Sequence, residues 1–293
     1  MTSLELVASL LVTLAILALW LAPRVWPALL ALGIAAGYAS GQLSGPAALW
    51  IAVLAAACYA YALESPASSG WAVGVRKAAS LATIVTLSVA LSLHVLPGFH
   101  NILIQPPARL TPRSAPYEQW LNFDKTIAGL LILGICYRGL IQTRAQLAQA
   151  ARRAAIPAAA TILVVVSLSV ACGYVQWDPK WLAQFWLWGA FNLLSTCMSE
   201  EAFFRGFIQA EIARHLGTRR GATLTAIGCS ASLFGIAHIA GGWGYASLAA
   251  VAGAGYAIVF HRSKRIEMSM LTHFGLNTVH FLLFTYPSVA TPP

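Results

Sequence analysis

Trp186-Leu187-Trp188-Gly189-Ala190-Phe191-Asn192-Leu193-Leu194-Ser195-Thr196-Cys197-Met198-Ser199-Glu200-Glu201-Ala202-Phe203-Phe204-Arg205-Gly206 sets two adjacent glutamates and an arginine inside one of the most apolar stretches of the chain. One ionised side chain at the centre of a bilayer helix costs roughly 2.5–3.5 kcal/mol on insertion scales. Three charges so placed imply pairing, a polar cavity, or both. The composition extends this reading outward. Of 293 residues, 59% are hydrophobic and 9% charged, against about 25% charged in soluble domains. No polar block is long enough to form a soluble domain.

Crossing the hydrocarbon core takes about 20 residues of helix. Apolar runs at 4–22, 27–43, 46–63, 78–97, 124–141, 155–175, 190–213, 221–240, 243–260 and 267–286 predict an all-α, polytopic transmembrane helix bundle. The second, third and fifth runs are short or rich in glycine, so the expectation is about 8–10 spans. The segment 177–189, with Trp177, Trp181, Trp186 and Trp188, reads as an interfacial aromatic belt.

The net charge of +9 is a topology signal, not the footprint of a nucleic-acid partner. Thirteen of the 18 Lys and Arg fall on alternate loops, while the opposite loops hold Arg109, Arg113, Lys125 and Lys180. The basic loops are then cytosolic, facing anionic lipid, and both termini lie outside. The expected location is the cell (plasma or inner) membrane. The first run has Glu5 and no basic residue before it, so it reads as an uncleaved anchor. Cys58, Cys136, Cys172, Cys197 and Cys229 are scattered singly, as small buried hydrophobes are. Glu64, Glu118, Asp124, Asp178, Glu211 and Glu267 sit at span ends or in loops, where solvation or pairing with nearby bases is expected.

Polar residues inside spans concentrate after residue 155: Glu200, Glu201, Arg205, His238, His273, Asn277 and His280. Chemistry is therefore expected in residues 151–293. Residues 1–150 form an N-terminal transmembrane extension of about four to five spans with an external loop at 98–124. Residues four apart share a helix face, so Glu201 can pair with Arg205. Glu200 lies about 100° around the helix and is left to face the bundle interior. Desolvation there tunes a carboxylate toward the basicity a general base needs. His273 and Asn277 also share one face. Each residue has a plainer reading: a lone His or Asn in a membrane helix often bonds a neighbouring helix. The glutamates and arginine could likewise be a structural ion network. His280, near a span end, is expected to be structural or interfacial.

Three motifs follow in order on three spans: Glu200-Glu201-x-x-x-Arg205, Phe234-x-x-x-His238 and His273-x-x-x-Asn277. Together they resemble the CAAX protease and bacteriocin-processing (CPBP, or Abi) family, over roughly residues 155–286. The resemblance implies that 151–293 is an intramembrane protease core acting as a glutamic endopeptidase on a membrane-associated protein or peptide. It implies that Glu200, helped by His238, activates water, and that His273 and Asn277 stabilise the oxyanion. Glu201, Arg205 and Phe234 would support the site, with no cofactor or metal. Zinc held by Glu200, His238 and His273 is the nearest rival, although the helical His-Glu-x-x-His signature is absent. A proton-coupled transporter would also use buried carboxylates and histidines, and a non-catalytic membrane scaffold could retain them. Substrate identity and oligomeric state are open at the level of sequence.

Overall fold

The computed structural model describes residues 2–63 and 71–290. The fold is an all-α bundle with one small two-stranded sheet. Its elements are α1 (Ser3–Leu21), α2 (Trp26–Ser40), α3 (Gly45–Ala62), α4 (Trp71–Ser92), β1 (Ile102–Ala108), β2 (Tyr117–Leu121) and α5 (Phe123–Leu131). They continue with α6 (Arg144–Ala171), α7 (Phe185–Phe191), α8 (Met198–Glu201), α9 (Ala210–Leu216), α10 (Ala222–Ala237), α11 (Trp243–Ser263) and α12 (Ile266–Leu283). Every apolar run read from the sequence contains helix, although in the run at 124–141 the helix ends at Cys136. Among the described helices, α1, α3, α4, α6 and α11 are long and apolar enough to cross a membrane, and α2 and α10 are shorter apolar helices. This is an integral, multi-pass membrane protein.

Three local features depart from the sequence reading. The loop at 98–124 carries the β1–β2 pair, which no hydrophobic alternation announced. α6 begins at Arg144, well before the expected 155, because Thr143 caps it by accepting from the Gln146 N–H. Trp177, Trp181 and Trp186 are exposed as an aromatic belt requires, but Trp188 is 1% exposed. It stacks on Phe281 at 4.1 Å, inside a cluster with Phe185. Its helix starts at Phe185, so Trp188 is core. The cysteines are also mixed: Cys58 and Cys197 are buried, while Cys172 and Cys229 are exposed. Glu64 lies outside the described residues.

The chain divides into two compact units that are not continuous in sequence. The first comprises Met1–Ile104, Trp120–Arg138 and Leu194–Phe203. Within it α1 packs along α2, and Gly33 lets the two backbones close up against Val12. Gly98, at φ +99°, lies against the Ala47 backbone, where a Cβ would come within 2.6 Å of the Ala47 nitrogen. Ile84, Leu91, Ile127 and Leu130 are among its buried side chains.

The second unit comprises Gln105–Gln119, Gly139–Leu193 and Phe204–Pro293. Here α11 packs against α6, α10 and α12. Glycines set two of these approaches: a Cβ on Gly255 would meet Thr161 at 2.3 Å, and one on Gly235 would meet Ala250 Cβ at 2.7 Å and Ala246 O at 2.8 Å. Glu267 accepts from the Ile141 N–H at 2.5 Å, and Arg265 donates to Gly139 O at 2.7 Å. The segment after α12 is stitched to earlier loops. Thr285 N donates to Gln176 O, Ala115 N to Ser288 O and Ala290 N to Arg113 O. Asp178 accepts from Thr111 at 2.5 Å and Arg113 at 3.3 Å. Lys180 donates to Phe284 O. Burial lowers the Lys180 ammonium from its ordinary value, against the opposing pull of Asp178.

The close approach at Gly235 gives a direct test. Gly235→Val is expected to separate α10 from α11 and to cost about 1–3 kcal/mol of stability. Gly228→Ala, on the same helix with open space around it, is expected to be silent. Thermal melting of both variants in detergent measures the contrast.

Candidate active site

The helix carrying the two glutamates is one continuous run from Phe185 to Leu216, but it is not uniformly α-helical. Asn192–Cys197 and Ala202–Gln209 are π-helical, flanking the single α turn of α8 that contains Glu200 and Glu201. Such wider turns are rare and frequently occur at functional sites. Nothing in residue spacing announced them.

In the first unit, Glu201 is 0% exposed. Glu200 pairs with Lys125: Nζ lies 2.5 Å from Oε1, with the two side chains 17% and 11% exposed. The sequence reading placed Lys125 in an outer loop and left Glu200 without a cation of its own. The structure puts Lys125 on the first turn of α5, reaching Glu200. α5 meets the glutamate segment closely, since a Cβ on Gly129 would lie 2.5 Å from Ser199 Cα. The Thr126 and Ser195 hydroxyls also touch. At the head of α5, Asp124 is 1% exposed and accepts from Asn101 Nδ2 at 3.2 Å and from the Lys125 N–H at 2.7 Å. His94 Nδ1 lies 2.8 Å from the same carboxylate. Asp124 is thus one of the end-of-span acids that finds a partner, as do Asp178 with Arg113 and Glu211 with Arg214.

In the second unit, Arg205 is also 0% exposed. Its Nη2 donates to Gly253 O at 3.0 Å. The guanidinium carbon lies 4.4 Å from the Phe234 ring centroid and 5.2 Å from that of Tyr256. Stacking on aromatic faces is a property of guanidinium that lysine does not share. Phe234 links this cation to both histidines: its ring lies 4.5 Å from His238 and 5.8 Å from His273. Tyr256 stacks on His273 at 4.5 Å. His238 Nδ1 lies 2.7 Å from Phe234 O. A carbonyl only accepts, so Nδ1 carries hydrogen, and in the neutral ring Nε2 carries the lone pair. Asn277 Nδ2 donates to Asn192 Oδ1 at 3.1 Å, which orients the amide.

Phe234, Tyr256, His238, His273 and Asn277, but not Arg205, line one cavity of about 90 Å³ within the second unit. His238, His273 and Asn277 face it together with Tyr174, Tyr245 and His280, and the remaining wall is largely apolar. His280, expected to be structural, does bond a backbone carbonyl, Thr285 O at 3.1 Å, and yet also lines the cavity. The tyrosines were missed by sequence reading because single aromatic residues in apolar helices carry no signal. Among the described residues, no group of three or more His, Cys, Asp or Glu forms a metal-binding cluster.

The cavity can hold a polar group, with an imidazole lone pair and an amide donor directed by their own partners. Comparison with known families agrees with the sequence motifs. Residues 181–279 match the family described as Rce1-like, type II CAAX prenyl endopeptidases. That stretch contains Glu200, Glu201, Arg205, Phe234, His238, His273 and Asn277. The likeness to the CAAX proteases holds over it, and the family is one of peptidases. No curated protein and no solved structure matches the chain.

Replacing the buried cation tests the architecture apart from any reaction. Arg205→Met removes the hydrogen bond to Gly253 O and the ring contacts. A loss of about 1.5–3 kcal/mol is expected for a hydrogen bond made by a charged group, measured by denaturant titration of the purified protein.

Proposed function

We propose that this protein is a glutamic-type intramembrane endopeptidase, with residues 151–293 as its core and 1–150 as a transmembrane extension. Its substrate is a membrane-associated protein or peptide, met in the plane of the cell membrane. The observation that carries the reading is that three polar residues from two separate motifs, His238, His273 and Asn277, line a single apolar-walled cavity. The family match over the same stretch points to peptide hydrolysis.

In this reading Glu200, assisted by the Nε2 lone pair of His238, takes a proton from water. The water oxygen bonds to the scissile carbonyl carbon, and the carbonyl electron pair moves onto its oxygen. His273 and Asn277 donate to that oxyanion. Such donors are worth most where water is excluded and their dipoles are already aimed. Collapse of the tetrahedral species breaks the C–N bond, and the proton passes to the leaving amine. The scheme uses no covalent nucleophile and no cofactor. Glu201, Arg205 and Phe234 hold the surrounding helices in place.

Glu200→Gln should insert and fold yet fail to cleave a membrane-proximal peptide. His238→Ala should lose about 10²–10⁴-fold in rate as general base catalysis is removed. His273→Ala or Asn277→Ala should lose about 10²–10³-fold. Full cleavage by Glu200→Gln would end the assignment, and accumulation of uncut partners in cells expressing it would identify the substrate. Activity is also expected to survive strong chelators. Loss on chelation, restored by added zinc, would instead favour Glu200, His238 and His273 as metal ligands.

A further inference from the structure

A cation that pairs with Glu200 comes from outside the family-matched stretch. Lys125 Nζ sits 2.5 Å from Glu200 Oε1, with both side chains largely out of water. This contact is built rather than incidental. Gly129 and Thr126, on the same short helix, seat α5 against Ser199 and Ser195. Lys125, Thr126 and Gly129 therefore present three successive contacts to one segment.

The head of α5 is fixed independently. Asn101 Oδ1 accepts the Phe123 N–H at 2.9 Å, while its amide nitrogen reaches the Asp124 carboxylate. His94 holds the other side of that carboxylate, from a backbone position at φ +57° that non-glycine residues rarely adopt. Asp124 is occupied by Asn101, His94 and the Lys125 backbone N–H. The neighbouring acid thus takes main-chain and loop donors, while the Lys125 ammonium is directed to Glu200.

We propose that Lys125 is a positioning residue for Glu200. Its ammonium fixes one carboxylate oxygen and so sets the orientation of the carboxylate. The Asn101–Asp124–His94 clamp sets the lysine in turn. The inference rests on Glu200 as the base, and it gives residues 1–150 a share in the reaction rather than a role as anchor alone. A lysine is suited to this because a compact ammonium holds a carboxylate oxygen at one point.

The test uses the full chain in lipid nanodiscs, with a membrane-anchored peptide. Lys125→Met is expected to lower kcat about 10–100-fold, by analogy with the loss when a partner that orients a metal ligand is removed. KM should stay unchanged. Lys125→Arg should recover a substantial part of kcat. Wild-type kcat in Lys125→Met, beside an inactive Glu200→Gln, overturns the lysine's role and leaves the peptidase reading standing. A fully active Glu200→Gln overturns both. A stability cycle supplies a readout that needs no substrate. Melting is compared for wild type, Lys125→Met, Glu200→Gln and the double variant. Non-additive losses are expected, because the second substitution removes an interaction already gone. Strictly additive losses overturn the pairing, as does a fall in kcat that only tracks melting and is not rescued by arginine.

Discussion

A guanidinium with none of its surface in water is the constraint around which the second unit is arranged. Arg205 has to be satisfied by protein groups, because an isolated buried charge is far more costly than any helix contact can offset. The partners described here are a backbone carbonyl, at Gly253, and the faces of Phe234 and Tyr256. The carbonyl is reachable because residue 253 has no side chain: a Cβ there would press on Arg205 Nη2 at 3.2 Å and Phe234 Cβ at 3.1 Å. The rings are reachable because Gly235 lets α10 and α11 close to backbone contact. The rings that receive the cation then lie against His238 and His273. The demand of one buried charge thereby fixes the walls of the cavity in which those imidazoles stand.

Much of this was readable from residue types and spacing. The apolar runs are long and, apart from 190–213, nearly free of charge, so helix was expected in each, and each contains helix. The clustering of polar residues after position 155 marked the half of the chain with the cavity. Two of the three motifs supply His238, His273 and Asn277 to its lining, while Glu200, Glu201 and Arg205 are not part of it. What was not readable depends on long-range packing or on backbone geometry. Lys125 looks like an ordinary loop cation until α5 is docked against Ser195 and Ser199. Trp188 looks like its interfacial neighbours until Phe281, 93 positions later, stacks on it. The β1–β2 pair holds Pro106 and Pro107 within a strand, residues that argue against pairing when read locally.

The two units also qualify the idea of a catalytic half carried by an inert half. The first unit includes Leu194–Phe203 from deep in the family-matched stretch. The glutamates are therefore packed among residues that the match does not reach. A segment outside a recognisable family core can vary freely in sequence only where it does not touch that core. α5 does not meet that condition, because it meets the glutamate segment at Gly129 and Lys125.

The π-helical run at Ala202–Gln209 has a consequence for the history of the gene. A wide turn holds a residue more than the α-helical ladder would, so it is what a single inserted codon leaves behind in a helix. Loss of one codon in this run could restore ordinary winding and leave the helix on either side in register, whereas loss of one from the regular turns beside it would rotate everything that follows by about 100°. Arg205 and Gln209, whose side chains bond Gly253 O and Ala257 O on α11, both lie inside the run. Sequences related to this one should therefore keep the number of residues between Arg205 and Gln209 more strictly than the residues themselves.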